Sequence, residues 1–323
     1  MKRVFVTDRS WPSYDDFTSR VEAAGGTVVF ASATDEQTLI CEGGEADVVV
    51  NSFAKVTPDF INALRHCETI IRTGISVDTI DVPAATARGI KVCYVPDYCQ
   101  GEVADHTMTL AASVLRRVAF LDKRMRSGVW NSVEAGGVPR LSHAVFGLIG
   151  FGAIAKKVAA RARAFDMQVI AYDPYLNDEV FVEYGVQRAV KMEDALRDAD
   201  VISLHLPLNP DTYHTIGESA FAAMKDGAVF VNTARGGLVV TEALIAALKS
   251  GKLGAASLDV FETEPLESDS ELFKMDQVLL TPHAAYYSRE SLPELQEKST
   301  DEVVRVLRGE QNRVIFNKRE LGL

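Results

Sequence analysis

A chain of 323 residues is longer than one ordinary core needs and divides most simply into two domains. With 47% hydrophobic and 24% charged residues and no low-complexity tract, it reads as globular rather than disordered or fibrous. Its 45 acidic side chains outnumber 34 basic ones for a net charge of -11, and no basic run is present to neutralise successive phosphates, which argues against nucleic acid as a direct ligand.

The amino terminus, MKRVFVTD, runs straight into strand-like alternation and lacks the apolar core and small-residue cleavage site of a secretory leader, so a cytoplasmic protein is expected. The β-branched runs RVFVT, TVVF, ADVVV and TIIR alternate with helical periodicity over residues 14–24 and 58–66. That alternation predicts a parallel sheet covered by helices. Val103, Leu110, Ala111, Val114, Leu115 and Val118 then recur at mostly three- and four-residue spacing, which predicts one long amphipathic helix over 101–129 joining the two domains. Cys41, Cys67, Cys93 and Cys99 have neither CxxC spacing nor the density of a disulfide framework. They read as packing residues in a reduced compartment, and no metal site is expected.

A second series follows: VFGLI, QVIAY, VISLH, AVFVN, AASLD and QVLLT, with helical segments between most of them. Six strands suit a doubly wound nucleotide-binding domain. The longest apolar stretch, residues 145–155, falls far short of the roughly 20 residues that span a bilayer, so no membrane partner is expected. After Pro282 a helix over 291–308 and a polar tail are too short to form a domain alone and are expected to pack back on the first one. The domains predicted are therefore 1–100 with 284–323, discontinuous, and 101–283, with crossings near residues 100 and 284 serving as a hinge around a cleft.

VFGLI runs into Gly150-Phe151-Gly152-Ala153-Ile154-Ala155 and then a helix, giving G-x-G-x-x-A at a strand-to-helix turn. Gly150 suits the tight turn, Gly152 removes the side chain that would block a pyrophosphate, and Ala155 lets the helix approach the strand. The free N–H groups at the helix start face the phosphates. Asp173, at the end of the next strand, suits the ribose hydroxyls and would repel a 2′-phosphate, which favours NAD over NADP. The plainer alternative makes Asp173 a turn residue before Pro174.

NTARGG, LDVFETEP and TPHAAYYS each put polar or ionisable groups directly after a predicted strand, at the sheet edge where open α/β folds bind ligands. Arg235, flanked by Gly236 and Gly237, offers a planar fork that fits a carboxylate, from a backbone expected to approach the ligand closely. Glu264 follows by a short loop, and Pro282 fixes the approach of His283; a carboxylate beside an imidazole orients the ring and stabilises its charge. Taken singly, these residues read as a surface ion pair, a solvated carboxylate and a packing histidine. Together at strand ends they suit hydride transfer to a carbonyl, which needs a proton donor and a cation to hold the substrate acid.

The motifs VFGLIGFGAIA, LHLPLNPDTYHTI, VNTARGGLV, SLDVFETEP and TPHAA resemble those of the D-isomer-specific 2-hydroxyacid dehydrogenases over nearly the whole chain, with a look closest to the C-terminal binding protein and phosphoglycerate dehydrogenase branches. The resemblance implies a Rossmann-type domain with a smaller flavodoxin-like substrate domain, both doubly wound parallel sheets. It implies a homodimer built on the nucleotide domain, and NAD(H)-dependent interconversion of a small 2-oxo acid, such as glyoxylate or hydroxypyruvate, with its D-2-hydroxy acid. Arg235 would bind carboxylate and carbonyl, Glu264 would pair with His283, and His283 would be the acid/base. Pro207, Thr233, Ala234, Arg235, Asp259 and His283 would join Gly150, Gly152, Ala153, Ile154 and Asp173 around the cofactor, with Asp259 near the carboxamide.

ETIIRTGISVDTID resembles the loop whose N–H groups hold the substrate carboxylate, with Gly74, Ile75 and Ser76 at its tip. Ser76 replaces the usual second glycine, either narrowing the pocket or adding a hydrogen bond. Arg72 is a second cation facing the site or a structural ion pair; Tyr286 lines the pocket or packs at the hinge. TPHAAYYSRESL also supplies the competing reading, an NAD(H)-sensing corepressor-like scaffold. Formate dehydrogenase would need a glutamine where Glu264 stands, and an appended regulatory domain is not expected.

Overall fold

In the strand Lys2–Val6 (β1), Val4 and Val6 are buried in one apolar cluster and Phe5 in another, so alternate side chains enter cores on opposite faces of the same sheet. A strand covered on both faces needs apolar residues at every position, which is why it reads as a continuous run. The computed structural model describes all residues, 1–323, and contains two compact units: Met1–Cys99 with Tyr287–Leu323, and Gln100–Tyr286.

In the first unit β1 is followed by α1 (Asp15–Ala23), β2 (Gly26–Phe30), α2 (Glu36–Gly43), β3 (Val48–Asn51), α3 (Pro58–Ala63), β4 (Thr69–Arg72), α4 (Val82–Ala87) and β5 (Lys91–Cys93). The five strands are all parallel, in the order β2-β1-β3-β4-β5, the doubly wound flavodoxin-like arrangement. Short polar side chains start the helices where the sequence turns from strand to loop. Asp35 accepts the N–H of Thr38 at 3.0 Å, and Asp81 that of Ala84 at 2.8 Å.

The second unit contains α5 (Gln100–Leu115), α6 (Val118–Arg126), β6 (Val145–Ile149), α7 (Ala153–Ala164), β7 (Gln168–Tyr172), α8 (Asp178–Glu183), β8 (Gln187–Ala189), α9 (Met192–Asp198), β9 (Val201–Leu204), α10 (Glu218–Ala223), β10 (Ala228–Asn232), α11 (Thr241–Lys249), β11 (Leu253–Leu258) and β12 (Val278–Leu280). Its seven strands run β12-β11-β10-β9-β6-β7-β8, the Rossmann order with one strand added, and the order reverses between β6 and β9. Phe146, Leu148, Val229 and Val231 fill the core on one face; Ile149, Ile202, Leu204 and Phe230 fill the other. The last helix, α12 (Ser291–Leu307), belongs to the first unit and buries Val303 and Val306 with Val4 and Phe17.

Two expectations need correction. The sheet of the second unit has a seventh strand, β8, only three residues long and lying at the edge beside β7. The single long helix is two: the chain breaks at Arg117, whose φ of 55° is left-handed. The cause is the end of the apolar stripe, since α5 buries residues through Leu115 whereas α6 buries none and Val118 is 54% exposed. No helix is long and apolar enough to cross a bilayer.

Candidate active site

The carboxyl edge of the seven-stranded sheet gathers the nucleotide motif. Gly150 has φ of 90°, and a Cβ there would lie 2.7 Å from the His205 carbonyl oxygen, in the loop after β9. Only glycine lets β6 turn so close to its neighbour. A Cβ on Gly152 would meet nothing within 4 Å, so the space over the start of α7 is open. Gly152 is the N-cap of that helix and no side chain caps it, which leaves first-turn N–H groups at Ala153 and Ile154 directed to that space. Ala155 is fully buried against the sheet. An uncapped helix start beneath a side-chain-free cradle fits a pyrophosphate.

Asp173 makes the turn contacts of the plainer alternative. Its oxygens accept the N–H of Phe151 at 3.0 Å and of Tyr175 at 3.0 Å, so it ties the Gly150–Gly152 turn to the end of β7. The side chain is only half-buried, so lone pairs remain for a ribose. Pro207 is exposed, and its carbonyl takes the Thr212 hydroxyl at 2.6 Å. Thr233 is buried, with its hydroxyl 2.7 Å from that of Thr107.

The three strand-end residues converge. His283 Nδ1 lies 2.7 Å from Glu264 Oε2, while Glu264 Oε1 accepts the N–H of Phe261 at 2.9 Å. Burial opposes ionisation of Glu264, yet the hydrogen bonds from His283 and Phe261 and the charges of His283 and Arg235 outweigh it and hold its carboxyl below the usual range. Arg235 is set by Asn232, whose side chain accepts the Ala234 N–H at 3.0 Å and donates to the Arg235 carbonyl at 2.9 Å. The expectation that Gly236 frees backbone for the ligand needs correction. A Cβ there would fall 1.8 Å from the carbonyl carbon of Phe261, so this glycine instead lets the Arg235 loop press against the Glu264 loop.

His283 has φ of 51°, a conformation costing a non-glycine residue roughly 1–3 kcal/mol unless its surroundings impose it. Its N–H is held by the Asp259 carbonyl at 2.7 Å. Asp259 has no exposed surface, and its carboxylate accepts from Thr281 at 2.5 Å, Ala284 at 2.8 Å and Ala285 at 2.9 Å. The side chain thus holds the segment carrying His283. Burial again opposes ionisation, and the His106 imidazole 3.5 Å away, with hydrogen bonds from Thr281, Ala284 and Ala285, reverses it, so Asp259 stays ionised. Tyr286 stands edge-on to the His283 ring, centroids 6.2 Å apart.

In the first unit, Arg72 ends β4 and is 7% exposed; its guanidinium donates to the Thr73 carbonyl and lies across Gly74, where a Cβ would come within 2.2 Å of it. The Gly74 N–H is taken by the Arg72 carbonyl at 3.0 Å, so the turn itself uses one of the groups expected to hold a carboxylate. Ser76 donates its hydroxyl to Asp78, and Ile75 beside it is half-buried. Ser52 and Thr73 hydroxyls, 2.6 Å apart, join this loop to that after β3.

Sequence reasoning passed over two further histidines. His205 follows β9, the same strand-end signal used for the other three segments; burial pushes its imidazole down to about 3, so it is neutral, with Nε2 3.0 Å from the Ser203 hydroxyl. His106 lies inside α5, where no local pattern marks it, and its Nε2 reaches Thr281 at 3.1 Å.

Residues 108–285, more than half of the chain, match the family model described as D-isomer specific 2-hydroxyacid dehydrogenase, NAD binding domain. D-3-phosphoglycerate dehydrogenase of Methanocaldococcus jannaschii is 38% identical over 318 residues, which cover 98% of this chain and 60% of that protein, so the chain spans about three fifths of this relative. A solved protein of Thermus thermophilus has a TM-score of 0.87 at 30% identity, covering 97% of this chain and 99% of its own. D-lactate dehydrogenase from Aquifex aeolicus, solved with NAD and lactic acid, has a TM-score of 0.86 at 27% identity and covers 96% of each chain. A cradle shaped for a pyrophosphate and a matching domain model agree, and the chain belongs to the D-isomer specific 2-hydroxyacid dehydrogenase family, with NAD as its cofactor.

Proposed function

We propose that the protein interconverts a small 2-oxo acid, such as glyoxylate or hydroxypyruvate, with its D-2-hydroxy acid, using NAD(H). The observation that carries this reading is the His283–Glu264 pair at 2.7 Å, with the Arg235 charge acting on the same carboxylate, on the sheet edge that bears the nucleotide cradle. NADH, when bound, supplies the hydride for the 2-oxo carbon. His283 gives the carbonyl oxygen its proton from Nε2, because Nδ1 is engaged by Glu264. Arg235 holds the substrate carboxylate and offsets charge developing on the oxygen. Chirality follows the family. With its four cysteines unpaired, the cytoplasm is the compartment proposed.

The test is NADH oxidation across a panel of 2-oxo acids, run in parallel with NADPH. Turnover of at least one member is expected, with NADPH about tenfold or more poorer, equivalent to ~1.4 kcal/mol of repulsion by Asp173. Equal use of both cofactors would reduce Asp173 to a turn residue. Turnover of none, with tight NADH binding intact, would overturn the enzyme reading in favour of an NAD(H)-sensing scaffold.

We also propose a homodimer built on the second unit. The helix α6 buries none of its residues, and the segment after it exposes Trp130 at 88% and Val133 at 81%. Contiguous apolar exposure of this kind marks an interface, and tryptophan is a common anchor in one. Sedimentation should give a dimer at micromolar concentration, and Trp130→Glu should weaken it at least about tenfold. A monomeric wild-type protein would refute this arrangement.

A further inference from the structure

The left-handed backbone of His283 must be imposed from outside the residue, and the groups that impose it converge on Asp259. Its carbonyl holds the His283 N–H and its carboxylate holds those of Ala284 and Ala285, so the orientation of one buried side chain sets the whole turn. Thr281 donates its hydroxyl to Asp259 Oδ1 at 2.5 Å. An ionised carboxylate only accepts, so that proton points at Asp259 and Thr281 Oγ1 is left to accept from His106 Nε2, 3.1 Å away. The same nitrogen lies 3.5 Å from Asp259 Oδ1.

We propose that His106 is a positioning residue for His283, acting through Thr281 and Asp259. It supplies the N–H that fixes the Thr281 hydroxyl against the carboxylate; the carboxylate then fixes the turn that aims the imidazole. A buried charge needs such partners, and a network of this kind loses its geometry when one donor is removed. The proposal rests on the reading of His283 as the acid/base. It assigns to a residue inside α5, far from His283 in sequence, a role in turnover rather than in binding.

Four variants of the full-length protein test it: His106→Leu and Thr281→Val remove the relay, while His106→Gln keeps an N–H donor near Nε2 and Thr281→Ser keeps the hydroxyl. His106→Leu and Thr281→Val should each lower kcat about ten- to a hundredfold, the cost of a displacement near 1 Å, with NADH affinity and KM within about twofold. Gln and Ser should restore most of kcat. Amide exchange of residues 283–286 should quicken at least about tenfold in the first pair and stay slow in the second. Unchanged kcat and exchange in the Leu and Val variants would overturn the proposal, as would a Gln variant as impaired as Leu. If His106→Leu fails to fold, Thr281→Val decides. Exchange is read without turnover, so a wild-type protein that reduces no oxo acid defeats the functional reading while the relay remains testable.

Discussion

Replacing His283 with Ala should lower kcat by about 10²–10⁴, the range for loss of a positioned general acid. The argument is geometric. Nδ1 is engaged by Glu264 at 2.7 Å, so in the proposed reaction Nε2 is the atom that would exchange a proton with substrate. Ala removes that atom while leaving Arg235, held by Asn232, to bind the carboxylate, so KM should change far less than kcat. Added imidazole should recover part of the activity. Glu264 sets how the site meets acid. Its folded carboxyl lies below the ordinary range, so its ionised contribution is complete above the unfolded carboxylate value and is lost only as pH falls through the depressed folded value. A stopped or single-turnover assay giving unchanged turnover for the Ala variant would remove His283 from the chemistry.

What could be read from the chain and what could not divide along one physical line. Strands buried on both faces announce themselves, because Val48, Val49 and Val50 must all be apolar when helices cover the sheet from each side. The nucleotide motif is also local: Gly150, Gly152 and Ala155 sit within one strand-to-helix turn whose geometry demands them. Glu264 and His283 could be singled out because each lies in a short loop after a strand, Glu264 after β11 and His283 after β12. The strand β8 was not, since three residues at a sheet edge with a polar, exposed Gln187 carry no periodic signal. Nor was the break at Arg117, which depends on what α5 packs against and not on its own propensity. Asp259 and His106 meet Thr281 only through folding, so nothing near either residue in the chain reports the contact.

Gly236 illustrates the same limit with the second large effect. Gly236→Ala should reduce kcat/KM by about a hundredfold and destabilise the protein by about 1–3 kcal/mol. Its Cβ would lie 1.8 Å from the carbonyl carbon of Phe261, 1.9 Å from the oxygen and 2.4 Å from the Glu262 nitrogen. Those are backbone atoms, which cannot rotate aside, so the two loops must part by more than an ångström. The Phe261 N–H is bonded to Glu264 Oε1 at 2.9 Å, so the shift passes directly to the carboxylate that orients His283. Arg235 is the residue before Gly236 and moves with the other loop. One methyl group therefore separates the cation from the acid/base pair without touching any of the three side chains. Gly237→Ala is the control, because its Cβ would crowd only the tip of Leu208, at 3.1 Å, which a small rotation relieves, and would touch Tyr213 at an ordinary 3.6 Å. Comparable kinetics for the two variants, within about threefold, would show that the loop contact does not set the alignment; a wide gap, with Gly236→Ala still folded by thermal melting, would assign that alignment to the close contact at Gly236.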